Sequence, residues 1–421
     1  MGPRRRSEQF EEFVMQDHRK LGRELELFHS DPLVGAGLPL WLPRGAAARR
    51  AVEDYLLDLE RRHGYQHVYS PPLAKAEMYH RSGHLPHYAD DMFPPMELDA
   101  DNALVLRPSL CPHHIAVFAA RGRSYRELPL RIGEIGGQYR AERSGVLGGL
   151  SRVRAISLND GHVFCAEDQV EAEVVAALRV MREAHAALGF APSSWRLSLR
   201  GDGPKYVDDP EMWRRGTEVL RRALAAAGVD YVDGPGEAAF YGPKIDIQLL
   251  DHAGRESTLA TVQVDYYMPR RFELSYVDAD GARKRPVMVH RSAAGSMERL
   301  FAQLIEVHDG AFPAWFAPVQ LEVLAVGDAD VRGFADRARA LGLRIEESYA
   351  GSLSARIRDA ARRKVPFVAV LGANEVAAGT VSLRSRGGAV EVLPVPAALA
   401  RLENECRAPK QERVPAPSVS V

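Results

Sequence analysis

The 421-residue sequence has little of several features that define whole classes of protein. Its three cysteines, Cys111, Cys165 and Cys406, show no paired spacing, which argues for a reducing compartment and against a disulfide framework. No apolar run approaches the ~20 residues that a membrane span requires. The charged start, MGPRRRSEQFEEF, also lacks the apolar core of a signal peptide. We therefore expect a cytoplasmic protein that does not span a membrane.

An excess of charge of one sign is missing as well. The 55 lysines and arginines balance 56 acidic residues, so the chain as a whole is not an electrostatic binder of nucleic acid. Any such affinity must come from local patches. The length is sufficient for two or three domains.

Three segments alternate polar and apolar residues with a period of two, which predicts strands with one apolar and one polar face. They are SRVRAISL from Ser151, GPKIDIQLL from Gly242 and ATVQVDY from Ala260. For any one strand, solvent exposure of the polar face is the simpler interpretation. The three together favour an antiparallel floor that binds a charged ligand.

Helical periodicity marks several other segments. We expect an amphipathic helix from roughly Ser7 to Ser30, and two longer ones in AAARRAVEDYLLDLERRHGY and AEDQVEAEVVAALRVMREAHAALGF, the last ending at Gly189. From about Pro318 the pattern is βαβαββ, which predicts a small mixed sheet wrapped by helices. From Arg407 the Pro/Ser-rich tail is expected to be disordered.

Two segments far apart in sequence carry arginines suited to a nucleotide. Arg140 and Glu142 lie in GGQYRAERSG, and Arg299 lies in HRSAAGSMERL. A guanidinium can grip a phosphate or flank a purine ring. These segments resemble the second and third signature motifs of the class II aminoacyl-tRNA synthetases.

Further segments resemble the threonyl-tRNA synthetase family within that class. They are DHRKLGRELELF, SGH with YADDMF, RPSLCPHH, ELPLRIGEIGGQYRAE, GLSRVRAISLNDGHVF, AFYGPKIDI, TVQVDYYMPRRFELSYV, VMVHRSAAGSMERL and FPAWFAPVQ. The resemblance implies an α+β fold, in which the antiparallel sheet of a class II synthetase, flanked by helices, precedes a small α/β anticodon-binding domain. The implied boundaries are a linker helix (1–30), a catalytic domain (31–313), an anticodon-binding domain (314–406) and a tail (407–421). Family editing modules would precede the linker, and we expect this chain to lack them.

The resemblance also assigns roles to individual residues. It implies Zn²⁺ held by Cys111, His162 and His290, with a coordination position left open for substrate. It implies ATP, with Mg²⁺, bound by Arg140, Glu142, Arg152 and Arg299. Threonine would contact Asp160, Tyr241, Gln263 and Ser296, and anticodon bases would contact Glu375 and Arg384. Catalytic roles fall to Arg140, to Lys244 near the reacting groups, and to His84 in the transfer step.

Several positions depart from the family pattern. Leu158, Thr258 and Leu110 stand where glutamine, glutamine and asparagine are customary, and His113 replaces a glycine. In the anticodon module, EESYAGSL replaces an Asp-Leu-Arg-Asn-Glu-Lys run. Changes at the pocket wall could alter the amino acid accepted or exclude an inhibitor.

The first hypothesis is therefore a homodimeric enzyme that activates threonine with ATP and charges tRNA(Thr), as a second copy that tolerates an inhibitor. A rival is a catalytically weak paralogue that binds tRNA or a small molecule for regulation. A third is an amino-acid activator that loads a non-tRNA acceptor. The joint presence of Arg140, Glu142, Arg299 and the three zinc-ligand candidates speaks against the weak paralogue.

Overall fold

The structure is a computed structural model that describes residues 16–99 and 102–409. Predictions that concern residues 1–15 and 410–421, including most of the tail, lie outside the described residues. No helix in the described ranges combines the length and the apolar character needed to cross a membrane.

The first part of the chain forms a mixed α and β unit. Its helices are α1 (His18–Glu24), α2 (Pro43–Arg62), α3 (Ala76–Ser82), α4 (His84–Tyr88), α5 (Cys111–Ala119), α6 (Val170–Leu188), α7 (Pro210–Ala226), α8 (Tyr267–Arg271) and α9 (Met297–Val307). Its strands are β1 (Phe28–His29), β2 (Leu40–Trp41), β3 (Gln66–His67), β4 (Leu73–Lys75), β5 (Met96–Asp99), β6 (Asn102–Leu106), β7 (Leu130–Tyr139), β8 (Ala155–Cys165), β9 (Ser194–Leu199), β10 (Val232–Pro235), β11 (Lys244–Leu250), β12 (Glu256–Asp265), β13 (Tyr276–Val277), β14 (Arg283–Lys284) and β15 (Val287–Ser292).

Eight of these strands form the central sheet, in the order β10-β9-β11-β12-β15-β8-β7-β3. The six strands from β9 to β7 pair antiparallel, and only the two edge pairs, β10 with β9 and β3 with β7, are parallel. The apolar face packs with α2, α6, α7 and α9 in one hydrophobic core. The predicted antiparallel sheet flanked by helices is confirmed.

The polar face of this sheet is buried rather than solvated. Asp246 and Asp265 are fully buried, and Gln248 and Gln263 are almost so. The solvent-exposure interpretation of the alternating strands is therefore wrong for these side chains, because other segments cover the floor. The strand predicted from Ser151 begins later, at Ala155, so Arg152 and Arg154 precede β8.

The predicted helix from Ser7 to Ser30 is shorter than expected within the described residues. It spans His18–Glu24 and stops where Glu26 adopts a φ of 54°. Phe28 and His29 then pair with β2 instead of continuing the helix. The apolar residues of this stretch therefore belong first to α1 and then to β1.

The C-terminal unit contains α10 (Arg332–Ala340), α11 (Leu353–Arg362), α12 (Ala373–Ala378), α13 (Val395–Glu405), β16 (Leu321–Ala325), β17 (Ile345–Ser348), β18 (Phe367–Leu371), β19 (Thr380–Ser385) and β20 (Val390–Pro394). Its five-stranded mixed sheet has the order β17-β16-β18-β19-β20. The predicted βαβαββ order is confirmed, with α12, β20 and α13 added to it.

Charged contacts hold this unit against the first one. Arg44 of α2 pairs with Glu346 of β17 at 3.3 Å, and Lys364 pairs with Asp309 at 3.1 Å. The guanidinium of Arg386 donates to the carbonyl of Phe312 at 2.6 Å. These contacts fix the C-terminal sheet relative to the first unit.

An ion pair lies within the helix-covered side of the central sheet. Arg291 of β15 is fully buried, 2.6 Å from the carboxylate of Glu60 in α2, and its guanidinium stacks 4.2 Å from the Tyr65 ring. Burial raises the pKa of Glu60, but Arg291, with His67 and Asn159, offsets that effect, and the net pKa is below its ordinary value. The carboxylate is therefore ionised at neutral pH.

We predict that Glu60→Ala lowers the free energy of unfolding by about 3–5 kcal/mol, because Arg291 would be left buried and unpaired. Urea unfolding monitored by circular dichroism measures this. The matched control is Glu218→Ala, which removes an exposed partner of Arg214 and should change stability by about 0.5 kcal/mol or less. A loss below about 1 kcal/mol for Glu60→Ala would contradict the prediction.

Candidate active site

Strand register places predicted site residues in one row across the polar face. Lys244 pairs with Gln263, Gln263 with His290, and His290 with His162. Directly paired residues lie about 4.5–5.5 Å apart and point to the same face. Four residues from four strands, separated by up to 128 positions between His162 and His290, are thereby neighbours.

Cys111 approaches this row from α5. One potential ligand atom each from Cys111, His162 and His290 lie within 4.8 Å of one another, and all three residues are buried. A thiolate and two imidazoles are ligands that zinc prefers, and three protein ligands are typical of a zinc site that leaves a position for substrate. The predicted trio therefore converges.

The hydrogen bonds around the two histidines test whether a cation fits there. His114 Nε2 lies 3.2 Å from Glu134 and its Nδ1 lies 2.7 Å from His162 Nδ1; His162 Nε2 lies 3.0 Å from His290 Nδ1, whose Nε2 lies 2.9 Å from Asp265. With one ring proton on each, the three imidazoles supply three N–H protons for these four gaps. Because carboxylates only accept, both end gaps take a proton, and one gap between imidazoles holds two facing lone pairs.

A cation beside Cys111 would fill the gap that lacks a proton. If His162 donates from Nδ1 to His114, the lone pairs of His162 Nε2 and His290 Nδ1 face each other next to the thiol. Such a pair repels unless a cation lies between or near the two nitrogens. The donor set and its tautomers thus fit a zinc ion.

Ionisation in the site agrees with this assignment. Burial lowers the pKa of His162 well below its ordinary value, and His290 and His114 lower it further. Burial raises the pKa of the Cys111 thiol well above its ordinary value, and Asp160 and Asp265 add to this. The imidazole is therefore in its ligand form at neutral pH, whereas the thiol must lose its proton when a metal binds.

Asp160 and Tyr241 border the trio. Asp160 precedes His162 by two residues on β8, so both side chains lie on one face. Burial raises the pKa of Asp160 to about 7, although Arg291 opposes the shift. The Tyr241 ring lies 5.4 Å from the His290 ring. Gln263 donates to the carbonyl of Gly242 at 3.1 Å.

A cavity of about 340 Å³ opens beside these residues. Its lining includes the predicted residues His84, Arg140, Glu142, Arg152 and Tyr241, together with Tyr88, Asp91, Met92, Pro108, Ser109 and Ala239. Arg152 forms an ion pair with Glu142 at 2.8 Å. Within residues 16–99 and 102–409 the Arg140 guanidinium forms no ion pair, so it is available to an anion.

Arg299 lies at the start of α9, next to this cavity. Its guanidinium donates to the carbonyls of Thr258 (2.8 Å) and Ser151 (3.2 Å). Burial lowers its pKa, and the charges of Arg140 and Arg152 lower it further. Three mutually repelling arginines at one place favour a polyanionic ligand.

His84 is neutral and held by two serines. The Ser82 hydroxyl donates to the Tyr79 carbonyl (3.3 Å), so it accepts from His84 Nδ1 (2.7 Å); His84 Nε2 then accepts from Ser109 (2.9 Å). Burial lowers the pKa of His84 to about 3, with His290 and Arg140 contributing. The Ser109 oxygen consequently offers lone pairs to the cavity.

Other predicted residues already have partners or lie elsewhere. Lys244 forms an ion pair with Asp246. The Ser296 hydroxyl caps α9 by accepting from the backbone N–H of Arg299 at 3.1 Å. Glu375 and Arg384 belong to the C-terminal unit, where Glu375 accepts from Gly372 N–H and Arg384 lines a separate cavity.

Sequence reasoning missed the residues that surround the metal-ligand candidates. Asp265 stood in the polar alternation of β12 and in the segment TVQVDYYMPRRFELSYV. His114 and Glu134 lay in RPSLCPHH and ELPLRIGEIGGQYRAE without an assigned role, because the contacts of His114 with Glu134 and His162 depend on how α5 packs against β7 and β8. Ser109 was visible only as part of RPSLCPHH.

A second group of potential ligands, Asp17, His18, His252 and Glu306, also lies close together. His18 Nε2 accepts from the backbone N–H of Leu150 (3.2 Å), so its Nδ1 carries the proton and donates to Glu306 (2.6 Å). A protonated nitrogen cannot bind a metal. This group instead fastens α1 to α9.

Comparisons with known proteins agree with this geometry. The family description "tRNA synthetase class II core domain (G, H, P, S and T)" matches residues 96–308, and "Anticodon binding domain" matches residues 321–405. The chain is 46% identical to the threonine–tRNA ligase of Pediococcus pentosaceus over 380 residues, which is 88% of this chain and 58% of that protein. It is also 46% identical to threonine–tRNA ligase 1 of Bacillus subtilis over 384 residues, 90% of this chain and 60% of that protein.

A solved structure described as the RNA binding domain of threonyl-tRNA synthetase from Cryptosporidium parvum superposes with a TM-score of 0.88 at 32% identity, covering 94% of this chain and 99% of that one. The chain spans about 60% of the length of the curated relatives it matches. It belongs to the class II aminoacyl-tRNA synthetases and, within them, to the threonyl-tRNA synthetase family.

Proposed function

We propose that the protein activates L-threonine with ATP and transfers it to tRNA(Thr). In the first step the threonine carboxylate attacks the α-phosphate of ATP, forming threonyl-adenylate and releasing pyrophosphate. In the second, a terminal ribose hydroxyl of the tRNA attacks the threonyl carbonyl and releases AMP. The observation that carries the proposal is the convergence of Cys111, His162 and His290 beside a cavity lined by arginines.

Arg140, Arg152 and Arg299 bind the phosphates and adenine of ATP in this proposal, with Glu142 directed to the adenine. Their guanidinium groups are held near one another by the fold, so they stabilise negative charge without rearranging during the reaction. Mg²⁺ neutralises further phosphate charge. Lys244, held by Asp246 on the polar floor, lies along the path of the reacting groups.

A zinc ion held by Cys111, His162 and His290 would offer an open position for the amino group and hydroxyl of threonine. Asp160, Tyr241, Gln263 and Ser296 form the rest of the amino-acid pocket. A pocket that must bind a hydroxyl rejects an isosteric side chain without one far better than an apolar pocket can. Valine is therefore excluded. Serine differs only by a methyl, worth about 1–3 kcal/mol.

The transfer step involves the cavity wall at His84. Because His84 is neutral and accepts from Ser109, it orders the wall where the tRNA end would enter. In the C-terminal unit, Glu375 and Arg384 would contact the anticodon. Single-stranded bases are recognised by stacking and by hydrogen bonds to their edges, which a half-buried arginine and carboxylate can supply.

We further propose a cytoplasmic homodimer. Tyr69 is 95% exposed and follows β3 at the edge of the central sheet. A large aromatic side chain so exposed is typical of an interface. All three cysteines are buried and unpaired, as suits a reducing compartment.

The enzyme is also proposed to be an inhibitor-tolerant form. Leu158 lies on the ligand face of β8 and bridges to Ser296, while the Thr258 hydroxyl is bound to Gln248 at 2.9 Å. Neither side chain offers the amide that is customary in the family. An inhibitor that hydrogen-bonds to those amides would lose its partners.

We predict that Arg140→Ala lowers threonine-dependent pyrophosphate exchange on the order of 10²-fold, because a charge that stabilises the reacting phosphate is lost. The fold should be unaffected, since Arg140 is exposed. Arg214→Ala, which removes an exposed arginine of α7, is the control and should retain full exchange. Full activity in Arg140→Ala would contradict the assigned role, and no exchange with threonine in the wild type would overturn the proposed function.

We predict that Cys111→Ser loses bound zinc and the preference for threonine over valine, because the thiolate is the anionic ligand of the trio. Elemental analysis and exchange assays with both amino acids measure these outcomes. Cys165→Ser, at a second fully buried thiol, is the matched control and should retain both. Zinc retained at full stoichiometry in Cys111→Ser would show that the metal binds elsewhere.

We predict that a sulfamoyl analogue of threonyl-adenylate carrying a hydrogen-bonding substituent toward position 158 inhibits the wild type about fivefold less than Leu158→Gln, because one buried hydrogen bond is worth about 1 kcal/mol. Inhibition constants from exchange assays decide this. The unsubstituted analogue serves as the control and should not distinguish the two proteins. Equal inhibition of the wild type and Leu158→Gln by the substituted analogue would contradict the proposed inhibitor tolerance. It would leave the proposed ligase activity intact.

A further inference from the structure

Two carboxylates terminate the chain of imidazoles that includes His162 and His290. Glu134 lies at one end, in contact with His114, and Asp265 lies at the other, in contact with His290. Each member of this chain is less than 7% exposed. Water therefore cannot substitute for any of the hydrogen bonds, and each protonation state constrains its neighbours.

Both carboxylate oxygens of Glu134 accept hydrogen bonds from neighbouring side chains or backbone. Its Oε1 accepts from Ser70 N–H (3.2 Å) and from Arg107 Nη2 (3.3 Å). Its Oε2 accepts from Ser70 Oγ (2.6 Å) and His114 Nε2 (3.2 Å). The Ser70 hydroxyl itself accepts from Arg107 Nη1 (2.6 Å), so its proton is free for Glu134. Burial raises the pKa of Glu134, but the bonds from His114 and Ser70 outweigh it and hold the pKa at about 2.

Asp265 is arranged in the same way. Its Oδ1 accepts from the backbone N–H groups of Tyr267 (2.7 Å) and Met268 (2.9 Å), while its Oδ2 faces His290 Nε2. In both carboxylates, one oxygen meets donors that cannot change role. The other oxygen meets a histidine, which can exchange its tautomer.

We propose that Glu134 and His114 form a positioning pair that fixes the tautomer of His162, as Asp265 does for His290, so that both inward nitrogens offer lone pairs to a metal. The inference rests on the zinc site proposed above. Neither Glu134 nor His114 touches the metal position. The negative charge of Glu134 acts on His162 through the intervening imidazole, and metal ligands oriented in this manner bind more tightly.

Glu134→Gln tests the pair with almost no change of shape. An amide NH₂ cannot face Ser70 N–H and Arg107, so it must take the Oε2 side, where it donates to His114 Nε2. His114 then carries its proton on Nδ1, toward His162. The His162 proton is displaced to Nε2, the nitrogen that the metal requires.

Asp265→Asn applies the same logic to the other end of the chain. Its NH₂ cannot face the two backbone N–H groups, so it donates to His290 Nε2 and moves the His290 proton to Nδ1. The control is Glu306→Gln. Glu306 is a buried carboxylate that contacts His18 (2.6 Å) and His252 (2.9 Å), outside the imidazole chain.

We expect zinc affinity, measured by chelator competition, to fall about 10–100-fold in Glu134→Gln and in Asp265→Asn, and to be unchanged in Glu306→Gln. In Co²⁺-loaded protein, the thiolate charge-transfer absorption should weaken in the first two variants. A second measurement needs no metal: ¹⁵N NMR of the histidine rings should show His162 Nε2 unprotonated in the wild type and protonated in Glu134→Gln. Mere loosening of the fold would lower thermal stability without inverting that tautomer.

The outcomes separate this inference from the proposed zinc site. If the wild type binds zinc and Glu134→Gln binds it within about threefold, with an unchanged tautomer, the positioning pair is overturned and the zinc site stands. If the wild type binds neither zinc nor cobalt, the zinc site is overturned. Inversion of the His162 tautomer in Glu134→Gln would still support the pair in that case.

Discussion

The site depends on a single constraint, the burial of a polar strand face. Once Asp246, Gln263, Asp265, His162 and His290 are removed from water, every donor and acceptor among them must be matched within the protein. Strand register decides which residues meet, because a shift of one position would send the whole row to the other face. The chemistry of the cavity thus follows from the pairing of β12, β15 and β8.

Burial also explains why charges are distributed over both faces of the sheet. The Glu60–Arg291 pair occupies the helix-covered face directly behind His162 and His290. The pair holds α2 against β15, and because it is buried, water cannot replace its contacts. On the other face, Asp265 accepts from His290 and from backbone N–H groups, and Asp246 accepts from Lys244 and from two hydroxyls. Each charge in this part of the sheet therefore has a defined partner.

Much of the fold could be predicted from the sequence, because the local periodicity of apolar residues indicates where the helices and strands lie. The alternation in residues 244–250 and 260–265 identified two strands, and the helix ending at Gly189 was predicted to the residue. The resemblance of short segments singled out Cys111, His162 and His290, which lie close together, and arginines at the cavity. By contrast, the early end of α1 depends on a positive φ at Glu26 and on pairing with β2, which periodicity does not encode.

The residues around the ligands could not be predicted for a related reason. His114 and Glu134 meet through tertiary contacts among α5, β7 and the segment at Ser70, and the segments in which they lie do not encode those contacts. The buried polar floor was ambiguous because a period of two describes a solvated strand equally well. Only the segments that cover the sheet decide between these states.

Gly161 lies on β8 between Asp160 and His162, whose side chains point to the polar face of the sheet. A Cβ at this position would lie 3.1 Å from the Arg291 guanidinium, so a side chain there would push the buried cation against the strand. Glycine at this position therefore lets the buried cation behind β8 and the imidazole row in front of it share one strand.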